Sequence, residues 1–233
     1  MAMRLTFASY NIHKGVGRDR RRDPERILTV LHEIGADVVA LQEADRRYGQ
    51  RETVLDRALL DEHHWQVVPV AMRPLSVGWH GNAMLVRRGI EVEGGEALVL
   101  PTLEPRGCIL GQLACDGHRF QVAGMHLDLS GLLRRKQIAA ACVAAEAAGL
   151  PTVMMGDLNE WSPRKGALTA FGAGYQVLDC GRSFPSGRPL ASLDRIVHSA
   201  EWQCAGVRVH RSPASAVASD HLPVVAELEL TGR

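Results

Sequence analysis

Apolar and polar residues alternate along Leu5-Thr-Phe-Ala-Ser-Tyr-Asn11, the period of a strand with one buried face. The period then changes. Asp23-Pro24 reads as an N-cap with proline at the first helical position, and Ile27, Leu28, Val30, Leu31 and Ile34 fall on one side of the helix that follows. Gly35 ends it, because glycine accepts the left-handed conformation that closes a last turn. A short apolar run at 37–41 predicts a buried strand, and 52–63 carries a helical pattern. Strand-like segments occupy 66–71, 82–87 and 108–115, and Asp116-Gly117 predicts a hairpin turn into a further strand at 120–126. The alanine-rich stretch 132–148 predicts a helix, closed by Gly149 and Pro151. A strand up to 156, a helix near 163–171 and strands at 193–198, 206–210 and 222–230 complete the pattern. Long β stretches broken by few helices imply two sheets packed face to face with helices outside. No linker, repeat or low-complexity segment divides 1–233, which reads as a single domain.

Composition narrows the function. Of 233 residues, 46% are hydrophobic and 23% charged, enough for a sizeable core. A formal net charge of +1 argues against a protein that coats long nucleic acid by charge alone. The five cysteines are odd in number and show no CxxC pair, which suits reduced, mostly buried thiols in the cytoplasm. No apolar run approaches the roughly 18 residues that cross a bilayer. The N-terminus runs directly into a strand pattern without a signal-peptide core, so a cytoplasmic location is expected. The histidines show no HExxH spacing, and neither a GxxxxGKS loop nor a GxGxxG fingerprint occurs, which disfavours zinc and nucleotide cofactors.

The chemistry lies at the ends of the predicted strands. Asp157-Leu-Asn159 follows an apolar run, Glu43 ends Val38-Val-Ala-Leu-Gln-Glu43, and Asp220-His221 opens the last strand. Carboxylates with an amide and an imidazole suit a hard divalent cation beside a phosphate, because Mg²⁺ takes oxygen ligands and leaves positions for substrate. Asp157 and Asn159, two apart on an extended segment, point to one face. Each residue has a plainer reading: Asn11 as an Asx turn, Glu43 as a strand-end polar group, Asp194 as a strand-edge partner of Arg195. The basic run through His13, Lys14, Arg18, Arg20, Arg21 and Arg22 is either a solvated loop or an overhang that meets an anionic substrate.

Taken together, Ser9-Tyr-Asn11-Ile, Leu41-Gln-Glu43, Gly81-Asn82-Ala-Met-Leu85, Met125-His126-Leu, Gly156-Asp157-Leu-Asn159, Leu193-Asp194-Arg-Ile-Val and Ser219-Asp220-His221-Leu-Pro223 stand in a fixed order. In that order they resemble the endonuclease/exonuclease/phosphatase superfamily over residues 5–230. The resemblance implies an α/β (α+β) fold, a deoxyribonuclease-like four-layer sandwich of two packed mixed β-sheets flanked by helices. It implies Mg²⁺ or Mn²⁺ held by Asn11, Glu43 and Asp220. His126, Asp157, Asn159, Asp194 and His221 would be catalytic, with Asp194 fixing the His221 tautomer and Arg106 and Asn82 contacting substrate. Arg134 and Gln137 match an Arg-x-x-Gln that stabilises the helix after His126. His126 leans toward the deoxyribonuclease, sphingomyelinase and phosphodiesterase branches. The expected activity is hydrolysis of a phosphodiester, in DNA or a phospholipid head group, with no stable protein partner. A phosphomonoesterase of small compounds and a non-catalytic phosphate-binding protein are the alternatives. Whether Asp157 or His221 is the general base stays open.

Overall fold

A computed structural model describes residues 3–46, 52–71 and 73–231. Two six-stranded sheets dominate it. The first contains β1 (Met3–Asn11), β2 (Val38–Gln42), β3 (Trp65–Val67), β4 (Ala83–Arg87), β11 (Trp202–Val209) and β12 (Val224–Leu230), in the order β11-β12-β1-β2-β4-β3. The second contains β5 (Glu91–Leu98), β6 (Gly107–Cys115), β7 (His118–His126), β8 (Thr152–Asp157), β9 (Tyr175–Val177) and β10 (Asp194–Ser199), in the order β5-β6-β7-β8-β10-β9.

Each sheet has one parallel pair, β1 with β2 and β7 with β8, and its other pairings are antiparallel. A parallel pair needs a crossover, and each crossover carries a helix. The first is α1 (Pro24–Ile34), capped by Asp23, whose carboxylate accepts from the Arg26 amide at 3.0 Å. Gly35, at φ 64°, closes it as its sequence position requires. The second is α3 (Gly131–Ala147).

Three apolar layers follow from this arrangement. Phe7, Phe120 and Trp202 meet edge to face between the sheets, with centroids 5.3–6.3 Å apart. Ile27, Val30 and Leu31 of α1 cover the outer face of the first sheet, and Ile138, Ala141 and Ala145 of α3 cover the second. The result is the expected four-layer sandwich of two mixed sheets between helices. Strands β2 and β8 are buried on both faces, which is why they read as continuous apolar runs.

Three local expectations needed correction. The helix expected over 52–63 is confined to α2 (Arg57–Glu62), because Asp56 caps it by accepting from Leu59 N at 2.8 Å. Ahead of that cap, Thr53 bridges to Asp45 in extended form. The helix expected near 163–171 is a 3₁₀ turn at Gly166–Phe171. Its start is pulled tight by Glu160, which accepts from the Ser162 and Ala167 amides at 2.9 and 2.8 Å. Strand β5 was not anticipated, since Gly94-Gly95 among glutamates looks like a loop; a bulge lies between Val92 and Gly94.

Candidate active site

Strand register explains why residues far apart in sequence meet. Asn11 ends β1 opposite Gln42, which places Glu43 one step beyond β2 on the same edge. In the second sheet His126, Asp157 and Asp194 lie side by side across β7, β8 and β10. A parallel pair finishes at one edge and an antiparallel neighbour starts there, so both sheets present their polar residues at one end of the sandwich.

Asp157 is the hub. Its Oδ2 accepts from Asn11 Nδ2 at 3.0 Å, a bond that joins the two sheets. Its Oδ1 accepts from the Asn159 amide at 3.0 Å. His126 Nε2 and His221 Nε2 lie 3.4 and 3.8 Å from Oδ2. Asp157 is only 2% exposed. Asn159 adopts φ 50°, and its Nδ2 donates to Leu127 O at 2.9 Å, which holds the turn after β8 in place.

Behind His221, Nδ1 meets Asp194 Oδ2 at 2.9 Å. Ser183 donates its hydroxyl to the same carboxylate oxygen, a contact with no sequence signal because Ser183 is a loop serine outside every motif. Ser219 is the other unanticipated partner. Its hydroxyl donates to Asn11 O at 2.7 Å and accepts from the His221 amide at 3.3 Å, which locks the Asp220-His221 turn onto the end of β1. The flanking residues of the Ser219-Asp220-His221 motif were the available signal.

The two histidines are pushed in opposite directions. Burial opposes charge on both. For His221 the surrounding carboxylates of Asp194, Asp157 and Asp220 overcome burial and raise its pKa to about 10. For His126 burial wins over Asp157, with Arg106 assisting, and the pKa falls to about 4. Near neutral pH the site therefore pairs an imidazolium at His221 with a neutral ring at His126.

Glu43 sits at φ 52° and faces a cleft of about 200 Å³ that Lys14, His80, Arg106 and His126 also line. Burial raises the pKa of this carboxyl, but the Lys14 ammonium, which contacts it directly, holds it below the usual range. Asp220 lies 3.9 Å from His13, so Glu43 and Asp220 border the same His13-Lys14 turn. Asp157, Asp194 and His221 are the only group of three described residues whose ligand atoms lie within 4.8 Å of one another; Glu43 and Asp220 stand outside it. Within that group Asp194 Oδ2 and His221 Nδ1 are already hydrogen-bonded to each other. Glu43 opens onto the cleft instead, and its carboxylate is engaged by the Lys14 ammonium, which a cation bound there would have to displace.

Of the two expected substrate contacts, Arg106 reaches the cleft, where its guanidinium packs on His126 and pairs with Glu104 at 3.1 Å. Asn82 does not open in the same way. It is 1% exposed, and its Nδ2 donates to Trp79 O and Gly107 O at 3.2 and 3.3 Å, tying the Trp79 loop to β6.

Buried polar groups join the loops around the site. Asp128 accepts from Ser130 N at 2.9 Å and Leu103 N at 3.1 Å. Gln137 links Asp128 N to Pro101 O at 2.9 and 3.0 Å. Arg134 donates to Leu129 O at 2.6 Å and Glu160 Oε2 at 3.4 Å. Arg134 and Gln137 thus brace loops as well as α3. Burial raises the Asp128 and Glu160 carboxyl pKa values, but the amide donors, with Arg134 at Glu160, outweigh it and leave both below their ordinary ranges. The folded form then binds these protons less tightly than the unfolded chain. Their stabilisation is complete above about pH 5 and is lost as pH falls through the depressed folded values. Thermal melts should therefore show a loss of stability below about pH 4.5 that is smaller in Glu160→Gln. At neutral pH that variant should be about 1–3 kcal/mol less stable, because its amide turns a donor toward a backbone N–H. An identical acid slope in the two proteins would refute the assignment.

The site is thus a carboxylate and imidazole cluster at one end of a two-sheet sandwich, beside a cleft lined by both basic and acidic side chains. The chain belongs to the endonuclease/exonuclease/phosphatase family, whose sequence model matches residues 8–221. This family comprises hydrolases of phosphoester bonds. No curated protein matches the sequence. Solved structures share the fold. An endonuclease/exonuclease/phosphatase from Bacteroides vulgatus superimposes with a TM-score of 0.80 at 17% identity, over 98% of this chain and 100% of that one. D. rerio TDP2 complexed with a single-strand DNA product gives 0.73 at 17% identity, over 97% and 98% of the two chains. A Bacteroides thetaiotaomicron mannosyl-6-phosphatase gives 0.76 at 19% identity, over 96% and 99%.

Proposed function

We propose that this protein is a divalent-metal-dependent phosphodiesterase that cleaves by in-line attack of water. The observation that carries this reading is the convergence of Asn11, His126, Asn159 and His221 on Asp157 from both sheets. Mg²⁺ or Mn²⁺ would be held by Glu43 with Asp220 and Asn11, and when bound would neutralise charge on the phosphoryl group and the departing oxygen. Asp157 takes the proton of the attacking water, since His221 already carries a proton at neutral pH. The water oxygen bonds to phosphorus as the bond to the leaving oxygen breaks. The His221 imidazolium, oriented by Asp194, faces the phosphoryl oxygens, and Arg106 adds positive charge beside the neutral His126. Asn159 steadies Asp157 through its backbone and has a second amide hydrogen for a phosphoryl oxygen.

The fold neighbours include a protein complexed with a single-strand DNA product and a mannosyl-6-phosphatase, so the leaving group is not set by the fold. The five described cysteines are all free thiols, which suits the reducing cytoplasm where we place the protein. No described helix is long and apolar enough to cross a membrane.

The test is hydrolysis of bis-p-nitrophenyl phosphate. Turnover should require Mg²⁺ or Mn²⁺, stop with chelator and fall at least about 10²-fold in Glu43→Ala. Undiminished turnover in chelator would eliminate the metal-dependent reading. Absence of turnover on diesters and monoesters, with phosphate still bound, would make it a binding protein.

A further inference from the structure

Large apolar side chains stand in water around the catalytic end. Leu103 is 84% exposed, Leu132 78% and Trp161 64%, and Leu129 and Leu190 are exposed as well. Leu132 lies in the first turn of α3 and the others come from four different loops, which carry, follow or lead into a residue of the site: Arg106, His126, Asn159 or Asp194. Their backbones are held together. Asp128 fixes Leu103, and Arg134 joins Leu129 to Glu160, the residue before Trp161. Trp161 packs edge to face on Phe184 at 6.4 Å, and Leu190 N donates to Phe184 O at 2.8 Å. Phe184 in turn lies 4.7 Å from the His221 ring.

A buried polar network that presents leucines to water is costly unless something covers them. The charges beside them indicate what. Arg164 and Lys165 follow Trp161, Arg188 precedes Leu190, and Arg135 and Lys136 follow Leu132; all are exposed. Arg18 of the basic loop packs against Gly187 and brings Arg20, Arg21 and Arg22 to the same end. The nearly neutral chain therefore gathers basic side chains where it also exposes apolar ones.

We propose that this rim docks the protein on an anionic phospholipid bilayer, with the leucines and Trp161 entering the interface and the cations meeting lipid phosphates. Tryptophan favours the head-group level, and apolar area together with basic charge is what binds a protein to such a surface. Single-stranded nucleic acid fits less well, because bases stack on aromatic faces and Trp161 is the one aromatic ring among these five side chains. Docking places lipid head-group phosphates beside Asp157. In that respect the inference rests on the phosphodiesterase reading and narrows its substrate to one presented at a membrane.

The experiment is co-sedimentation and tryptophan emission with vesicles of phosphatidylcholine alone and of phosphatidylcholine mixed with phosphatidylglycerol. The intact protein should bind the mixed vesicles and shift its emission to the blue, and Trp161→Phe should abolish the shift. The double variant Leu103→Gln, Leu129→Gln should bind about tenfold more weakly or worse, while hydrolysing bis-p-nitrophenyl phosphate at the unaltered rate. Failure to bind mixed vesicles, or binding that ignores the leucine substitutions, overturns the proposal. So does single-stranded DNA binding that depends on the same leucines and Trp161 while vesicles are not bound. Vesicle binding without turnover would instead sink the phosphodiesterase reading and leave docking standing; turnover without vesicle binding would do the reverse.

Discussion

Replacing Asp157 with asparagine should lower kcat on a phosphodiester by about 10²–10⁴-fold, the range for loss of a positioned general base. The change removes one charge and keeps the shape. Asparagine can still accept from either Asn11 Nδ2 or the Asn159 amide, but its own NH₂ then faces the other donor. Loss of one acceptor and its charge also removes a main reason for His221 to stay protonated, since Asp157 is among the groups that raise its pKa. The His221 titration, followed by NMR, should therefore move down in the variant. These two readouts separate chemistry from folding. A kcat within about threefold of the parent would exclude Asp157 as the base and return that role to His221.

The neighbouring residue predicts an effect of another kind. Gly156 lies in β8 between Met125 of β7 and Arg195 of β10. A Cβ built there would be 1.8 Å from Met125 O and 2.8 Å from Met125 C. Both are backbone atoms in a paired strand, so no rotamer change relieves the contact and the β7–β8 pair has to separate. Gly156→Ala should cost about 3–5 kcal/mol, a fall in Tm of roughly 10–15 °C for a chain of this size. Gly174→Ala is the control, because a Cβ there meets nothing within 4 Å and needs no unusual φ. Thermal unfolding by circular dichroism decides it. A Gly156→Ala protein that melts within about 2 °C of its parent would show that the strands tolerate the separation. The close approach has a use: with β7 and β8 in tight register, His126 comes within 3.4 Å of Asp157.

Much of this was legible in the residues, for identifiable reasons. The α1 cap and stop are set by local backbone preferences of Asp23, Pro24 and Gly35, which act within one turn. Strands buried on both faces announce themselves as apolar runs, as β2 and β8 do. Elements whose shape depends on a distant or side-chain partner were harder to read. The 3₁₀ turn at Gly166–Phe171 follows from where Glu160 directs its carboxylate, and α2 is shortened by extended pairing of Thr53. Strand β5 breaks its apolar alternation at Gly95, which fits against the opposite sheet: a Cβ there would come 2.6 Å from Val68 Cγ1.

The sequence by itself determined which chemical groups stand at strand ends, and its ordered motifs determined the family, because both depend on residue identity and spacing. Only the tertiary structure decided how those groups divide their work. It made Asp157 the hub, set His221 and His126 at opposite charge states, and committed Asn82 to holding a loop. It also brought in Ser183 and Ser219 as unannounced partners. The physical reason is that pKa values and hydrogen-bond partners depend on distance and burial in space, and residues as far apart as Asn11 and Asp157 acquire both only when two sheets close on each other.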